Sequence, residues 1–189
     1  MKRSKPSTNS ILEKREISNR KSIFLFPLAV VLIFLLPILN IRGAMVELSL
    51  EQLVHDADLV ILGTVEYVRS ELSDGKIISF ATLSVNSVIK GDSVAPQDKI
   101  ILRFTGGIVG SMGMKLANSP NYKQGEDILV FLKSVPNQTY YKTSGSSQGK
   151  FLIKDNIVVR ENLSLDQLIK RIESIIHSTS SEMTNSSAF

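Results

Sequence analysis

The chain has 189 residues, no Cys and no Trp, and a formal net charge of +4. That length accommodates one domain plus an appended segment. The lack of Cys excludes disulfides, thiol nucleophiles, zinc–thiolate sites and iron–sulfur ligation. The charge is unevenly placed. Residues 1–44 hold eight Lys/Arg against two acids, a net of +6, and residues 45–189 hold 14 against 16, a net of −2. A nucleic-acid partner needs a basic face on the domain, so no nucleic-acid partner is predicted.

Residues 1–22 are polar and charged without apolar periodicity, and they read as a disordered basic cytoplasmic tail. The run Ile23–Leu39 carries no charge. As a helix it reaches about 26 Å, and extension through Ile41 brings it near the span of a bilayer core. Pro27 and Pro37 would break a soluble helix but are tolerated in membrane segments. The residues that follow, Asn40-Ile41-Arg42-Gly43-Ala44, offer poor cleavage sites. Residues 23–41 are therefore predicted as a transmembrane signal anchor in preference to the h-region of a cleaved signal peptide. Lys14, Arg15, Arg20 and Lys21 precede the run and only Arg42 follows closely. The positive-inside rule then gives a single-pass membrane protein with an extracytoplasmic C-terminal domain, or a secreted or periplasmic domain if the leader is cut.

The domain itself is predicted over 47–177. Ser49 and Gln52 form a capping-box pattern before Leu50, Leu53 and Val54, so a short helix should run to about Asp56. Leu59–Val68 reads as a strand buried on both faces in its first half. Ser73-Asp74-Gly75 is a hairpin signal, and Ile77–Ile89 a long alternating strand. Lys99–Phe104 and Ile128–Leu132 follow, the latter apolar throughout and so predicted to be central. Thr139–Thr143, Lys150–Ile153 and, after the Asp155-Asn156 turn, Ile157–Arg160 complete the set. The chain closes with a helix capped by Ser164 and Gln167. Its stripe of Leu165, Leu168, Ile169, Ile172, Ile175 and Ile176 should pack on the sheet. Residues 178–189 are Ser/Thr-rich and read as a disordered tail.

The most distinctive segment is Thr105–Lys115, with glycines at 106, 107, 110 and 113. It lacks the Lys and hydroxyl of a phosphate loop and the spacing of a dinucleotide fingerprint. It reads as a mobile or bulged loop whose glycines serve backbone conformation. The binding alternative places Gly106, Gly107, Gly110, Met112, Gly113 and Met114 at a contact surface, with the methionines as adaptable apolar groups. His55 and His177 each sit near a predicted helix C-terminus, where a cation is favoured. Two His without Cys make a poor metal set, and neither a metal nor a cofactor is predicted. Gly145-Ser-Ser-Gln-Gly149 matches a nucleophile elbow only in its letters. No helix follows Ser147, so it reads as a turn, and no catalytic residue is predicted. Glu126-Asp127 reads as a solvated strand edge.

Taken in order, Ala57–Val65, the long strand ending Val88-Ile-Lys-Gly91, and Gly125–Leu132 resemble the netrin-like modules, which include the tissue inhibitors of metalloproteinases. The chain resembles more closely a set of uncharacterised exported bacterial domains with the Gly-Gly loop and the Gln148-Gly-Lys-Phe151 segment. The resemblance covers about residues 48–160. It implies an OB-like Greek-key barrel of five to seven strands, flanked by a short N-terminal helix and a C-terminal amphipathic helix. The metalloproteinase inhibitors use an N-terminal Cys and disulfides. This chain has no Cys, so their inhibitory residues have no counterparts to carry over.

Three functions follow from these readings. The first is a membrane-anchored or exported, non-catalytic binding module, attached through Ile23–Leu39 and meeting a protein partner at the outer face of the membrane. The second, implied by the resemblance, is an extracytoplasmic protease inhibitor or regulator. The third is a hydrolase with an unrecognised site.

Overall fold

Both capping boxes form. In the computed structural model, which describes residues 47–186 with side chains to residue 179, Ser49 Oγ accepts from Gln52 N at 3.2 Å. Gln52 Oε1 accepts from Ser49 N at 2.9 Å. Helix α1 (Leu50–Asp56) buries Leu53 and Val54. Its last carbonyls are satisfied by a distant residue. Lys90 Nζ donates to Val54 O and Ala57 O, both at 2.6 Å, and supplies the cation that a helix C-terminus favours. His55, expected in that role, is exposed with its ring 3.5 Å from the Asp56 carboxylate. The predicted tail and apolar run at 1–41 lie outside the described residues. Among the described residues no helix is long and apolar enough to cross a membrane.

The architecture is mainly β. In chain order the strands are β1 (Leu59–Ser73), β2 (Lys76–Lys90), β3 (Lys99–Thr105), β4 (Gly107–Val109), β5 (Met112–Met114), β6 (Asp127–Ser134), β7 (Tyr140–Thr143), β8 (Lys150–Lys154), β9 (Ile157–Val158) and β10 (Leu163–Ser164). Eight of them form one sheet in the order β1-β2-β3-β7-β6-β8-β9-β10, and β1 also pairs with β6. All these pairings are antiparallel except β3–β7, which is parallel and two residue pairs long. Strands β4 and β5 form a separate two-stranded sheet.

The tight turns follow their sequence signals. Asp74 and Gly75 have φ of +49° and +72°, and Asp155 and Asn156 have +49° and +63°. Positive φ at both central residues is the type I′ pattern, whose twist matches the strands it joins.

Two apolar layers explain why some strands lack alternation. Leu59, Ile61, Leu83, Leu102, Ile128, Val130 and Leu132 belong to one buried cluster. Val60, Leu129, Phe131, Phe151, Leu168 and Ile172 belong to another, together with Leu53 and Val54 of α1. Strand β6 and the first half of β1 therefore bury both faces, as their continuous apolar runs predict. Helix α2 (Leu165–Ser186) lays its stripe onto the second layer. Its capping box is Ser164 Oγ from Gln167 N at 3.2 Å and Gln167 Oε1 from Ser164 N at 3.1 Å.

Four expectations change. The main sheet has eight strands where five to seven were expected, because it includes β10, whose two residues are too short to show a period. The predicted strand Ile157–Arg160 stops at Val158. The Thr105–Lys115 segment is not an irregular loop but contains the β4–β5 hairpin. Helix α2 continues to Ser186, past the expected start of an irregular tail at 178. There Ser178 Oγ and Thr179 Oγ1 both donate to Ile175 O, at 2.9 and 3.0 Å, so these polar residues are accommodated within the helix. His177 consequently lies inside the helix, away from its end.

Candidate functional site

The six residues singled out in the glycine segment fall on the hairpin and divide into a fixed base and an open tip. At the base, Gly106 and Gly107 have φ of +109° and +126°, where an L side chain is strained. They also lack room. A Cβ on Gly107 would lie 2.3 Å from Ser79 Oγ and 2.6 Å from Ser70 Oγ, and one on Gly106 would lie 2.9 Å from Met114 O. Gly106 N donates to Ile77 O at 2.8 Å, and Ser79 Oγ donates to Gly106 O at 2.5 Å. With that hydrogen committed, the 2.7 Å contact between Ser70 and Ser79 has Ser70 as donor. Ser79 is fully buried. Its position extends the apolar Ala81–Leu83–Val85 face of β2, so a hydroxyl there is the sequence signal that would have found it.

At the tip, Gly110-Ser111 closes the hairpin between Val109 and Met112. Only Gly110 has positive φ, at +58°, the sign pattern of a type II′ turn. Nothing lies within 4 Å of a Cβ added there. Ile108 is 72% exposed and Met112 52%. Gly106, Gly107, Ile108, Gly113 and Met114 line a cleft of about 310 Å³ together with Leu116, Ser119 and Pro120. Ser119 Oγ donates to Thr105 O at 2.5 Å and ties its segment to the end of β3.

The residues after Pro120 are held by a buried polar cluster. Tyr122 packs edge-on against Phe104 with ring centroids 5.1 Å apart, and its hydroxyl meets Thr143 Oγ1 at 2.5 Å. Burial pushes the Tyr122 hydroxyl well above its ordinary pKa. Lys150 Nζ lies 4.9 Å from the Tyr122 ring centroid, donates to Asn121 O at 2.5 Å and pairs with the Glu126 carboxylate. Glu126 is thus not a solvated edge residue. Its side chain is 18% exposed and that of Lys150 11%, and such groups are kept when paired. The neighbouring Asp127 does lie at the surface, accepting from Thr64 Oγ1 at 2.6 Å.

Each residue of Gln148-Gly-Lys-Phe151 has a packing role. Gln148 Oε1 accepts from Leu48 N at 2.8 Å. A Cβ on Gly149 would fall 1.9 Å from Ser144 O. Lys150 makes the ion pair, and Phe151 packs at a tilt against Phe131, ring centroids 5.7 Å apart, with Arg160 over its ring at 4.2 Å. Ser147 sits in a 3₁₀ turn, Ser146–Gly149, that runs directly into β8. Its amide donates to Asn118 O at 3.0 Å.

No described buried side-chain polar atom lacks a partner. What the hairpin presents to solvent is apolar, through Ile108 and Met112. Among the described residues no group of three or more His, Asp or Glu is placed to hold a metal ion. No family model matches the chain, and no curated protein matches it.

Proposed function

We propose that residues 47–177 are a non-catalytic binding module on an OB-like Greek-key barrel, which captures a protein partner through the β4–β5 hairpin. The observation that carries the reading is the contrast within the hairpin. A base locked by Ser79 and Ile77 holds Ile108 and Met112 out in solvent. Apolar side chains presented on a preorganised support lose little freedom on binding, which favours affinity. Support for the barrel comes from the pairing order. Each of β1, β2, β3, β7 and β6 has its two neighbours in the ring β1-β2-β3-β7-β6-β1, with the one parallel contact between β3 and β7. The sequence-predicted anchor at 23–41 would keep this module at the outer face of a membrane, and its partner is to be sought there.

The test is photo-crosslinking in intact cells from position 108, with position 157 as control, since Ile157 is also exposed but lies on β9. A discrete adduct from 108 that is absent from 157, and that disappears on Met112→Ser, is expected. Identical adducts from both positions, or none from 108, would sink the hairpin reading.

A further inference from the structure

The outer face of the sheet carries a row of cations that the hairpin reading does not use. Alternation along β3 turns Leu102 and Phe104 into the core, which leaves Arg103 facing outward. On β7 the same alternation turns Lys142 outward, because Tyr141 packs on the core and Thr143 meets Tyr122. Lys133 of β6 is paired directly with Lys142. The parallel register Ile101↔Tyr140 and Leu102↔Tyr141, continued one step, sets Arg103 beside Lys142. Three cations therefore stand side by side on three neighbouring strands, about 5 Å from strand to strand.

Little in the protein balances them. Among the described residues none of the three is in an ion pair. Asp58 feels the charge of Lys133, yet its carboxylate is held below its usual pKa chiefly by the Ser134 hydroxyl and amide. Like charges placed directly opposite in a sheet destabilise it. At exposed positions any polar residue would serve the fold, so the row points to an anion.

Two clefts adjoin the row. The first, about 470 Å³, is lined by Arg103 and Lys142 with Thr105, Asn118, Ser119 and Thr143, and by no carboxylate. The second, about 410 Å³, is lined by Lys133, Ser134, Lys142 and Ser146, with Asp56 as its one acid. Lys142, Thr143 and Ser146 border both. We propose that these adjoining clefts bind an acidic oligosaccharide, its carboxylates on Arg103, Lys142 and Lys133 and its hydroxyls on the Ser, Thr and Asn side chains between them. Bases of a nucleic acid find little to stack on here. Arg103 covers the Tyr140 ring at 5.5 Å, and Arg69 covers the Phe80 ring at 4.5 Å. A lipid surface would favour an apolar convex patch over hydroxyl-lined hollows.

The first cleft shares Thr105 and Ser119 with the hairpin cleft, but none of the three cations lines the latter, so variants of the cations keep this test apart from that of the partner reading. Full-length protein in detergent micelles is titrated calorimetrically with tetragalacturonate and with its methyl ester. The acid is expected to bind and to weaken as salt rises, and the ester to give no heat. Lys142→Gln and Arg103→Gln should each weaken binding about tenfold, and Lys142→Arg should largely restore it. Because Lys142 is exposed, Lys142→Gln decides the matter even if Arg103→Gln folds poorly. Ile108→Ser should leave the affinity unchanged. Equal binding of the ester, wild-type affinity in Lys142→Gln, or no binding of the acid overturns the proposal. So does retention of oligothymidylate or phosphatidylglycerol vesicles in place of the sugar acid.

Discussion

Two glycine-containing segments, 106–113 and 145–149, read alike as sequence and differ as structure. Around Gly145 and Gly149 the protein is full. A Cβ at 145 would lie 2.5 Å from Leu53 Cδ2, and one at 149 would lie 1.9 Å from Ser144 O. The segment is a seam between α1, β6 and β8. In the hairpin the crowding stops at Gly107, and by Gly110 there is open space. Glycine in a sequence thus reports a constraint without saying which one. At 149 the constraint is volume, at 107 it is volume and backbone sign, and at 110 backbone sign alone.

Substituting Ala at each position breaks that comparison into its parts. Gly149→Ala should have the largest effect. The clash is with a backbone carbonyl, and Ser144 cannot retreat without straining its 2.8 Å amide bond to Phe131 O on β6. A loss of about 3 kcal/mol is expected, read as a lower urea midpoint. Wild-type stability would mean that the seam is loose. Glu126→Ala should come next, costing about 2–3 kcal/mol, because it leaves the mostly buried Lys150 ammonium without its carboxylate. The double variant Lys150→Met, Glu126→Ala should lose less than the sum of the two single losses; additive losses would contradict the pairing. Gly107→Ala follows at about 2 kcal/mol, from left-handed strain together with displacement of the Ser79 hydroxyl. Its signature should be local, with faster amide exchange across 106–114 and little change in β6.

The sequence carried the local half of this picture. Both capping boxes and the turns at Asp74-Gly75 and Asp155-Asn156 depend on neighbours in the chain, and all four formed as read. The two-faced burial of β6 was legible because five apolar residues in succession leave no solvent face. What stayed hidden depends on distance along the chain. Lys90 caps a helix 33 to 36 residues away, and Lys150 meets Glu126 across 24. The hairpin strands have three residues each, too few for a period to appear. The cation row exists only through strand register, since Arg103, Lys133 and Lys142 are unremarkable where they stand in the chain.

The smallest structural effect should come at the hairpin tip, and it separates binding from stability most cleanly. Gly110→Ala meets no atom, so its cost is the left-handed backbone alone, about 1 kcal/mol. Ile108→Ser and Met112→Ser remove exposed side chains and should each change stability by no more than about 0.5 kcal/mol. If the hairpin is the recognition element, Met112→Ser abolishes the crosslink from position 108 and Ile108→Ser the crosslink from position 112, while their urea midpoints stay at the wild-type value. If instead they unfold the domain, Ile108 and Met112 belong to the core and the open tip is illusory. If they neither unfold it nor affect capture, the base is fixed for a reason other than presenting the tip. Gly107→Ala then becomes the informative partner, because it loosens the base while leaving Ile108 and Met112 in place. Weaker capture in that variant, with both side chains intact, would show that the affinity depends on how firmly the tip is held.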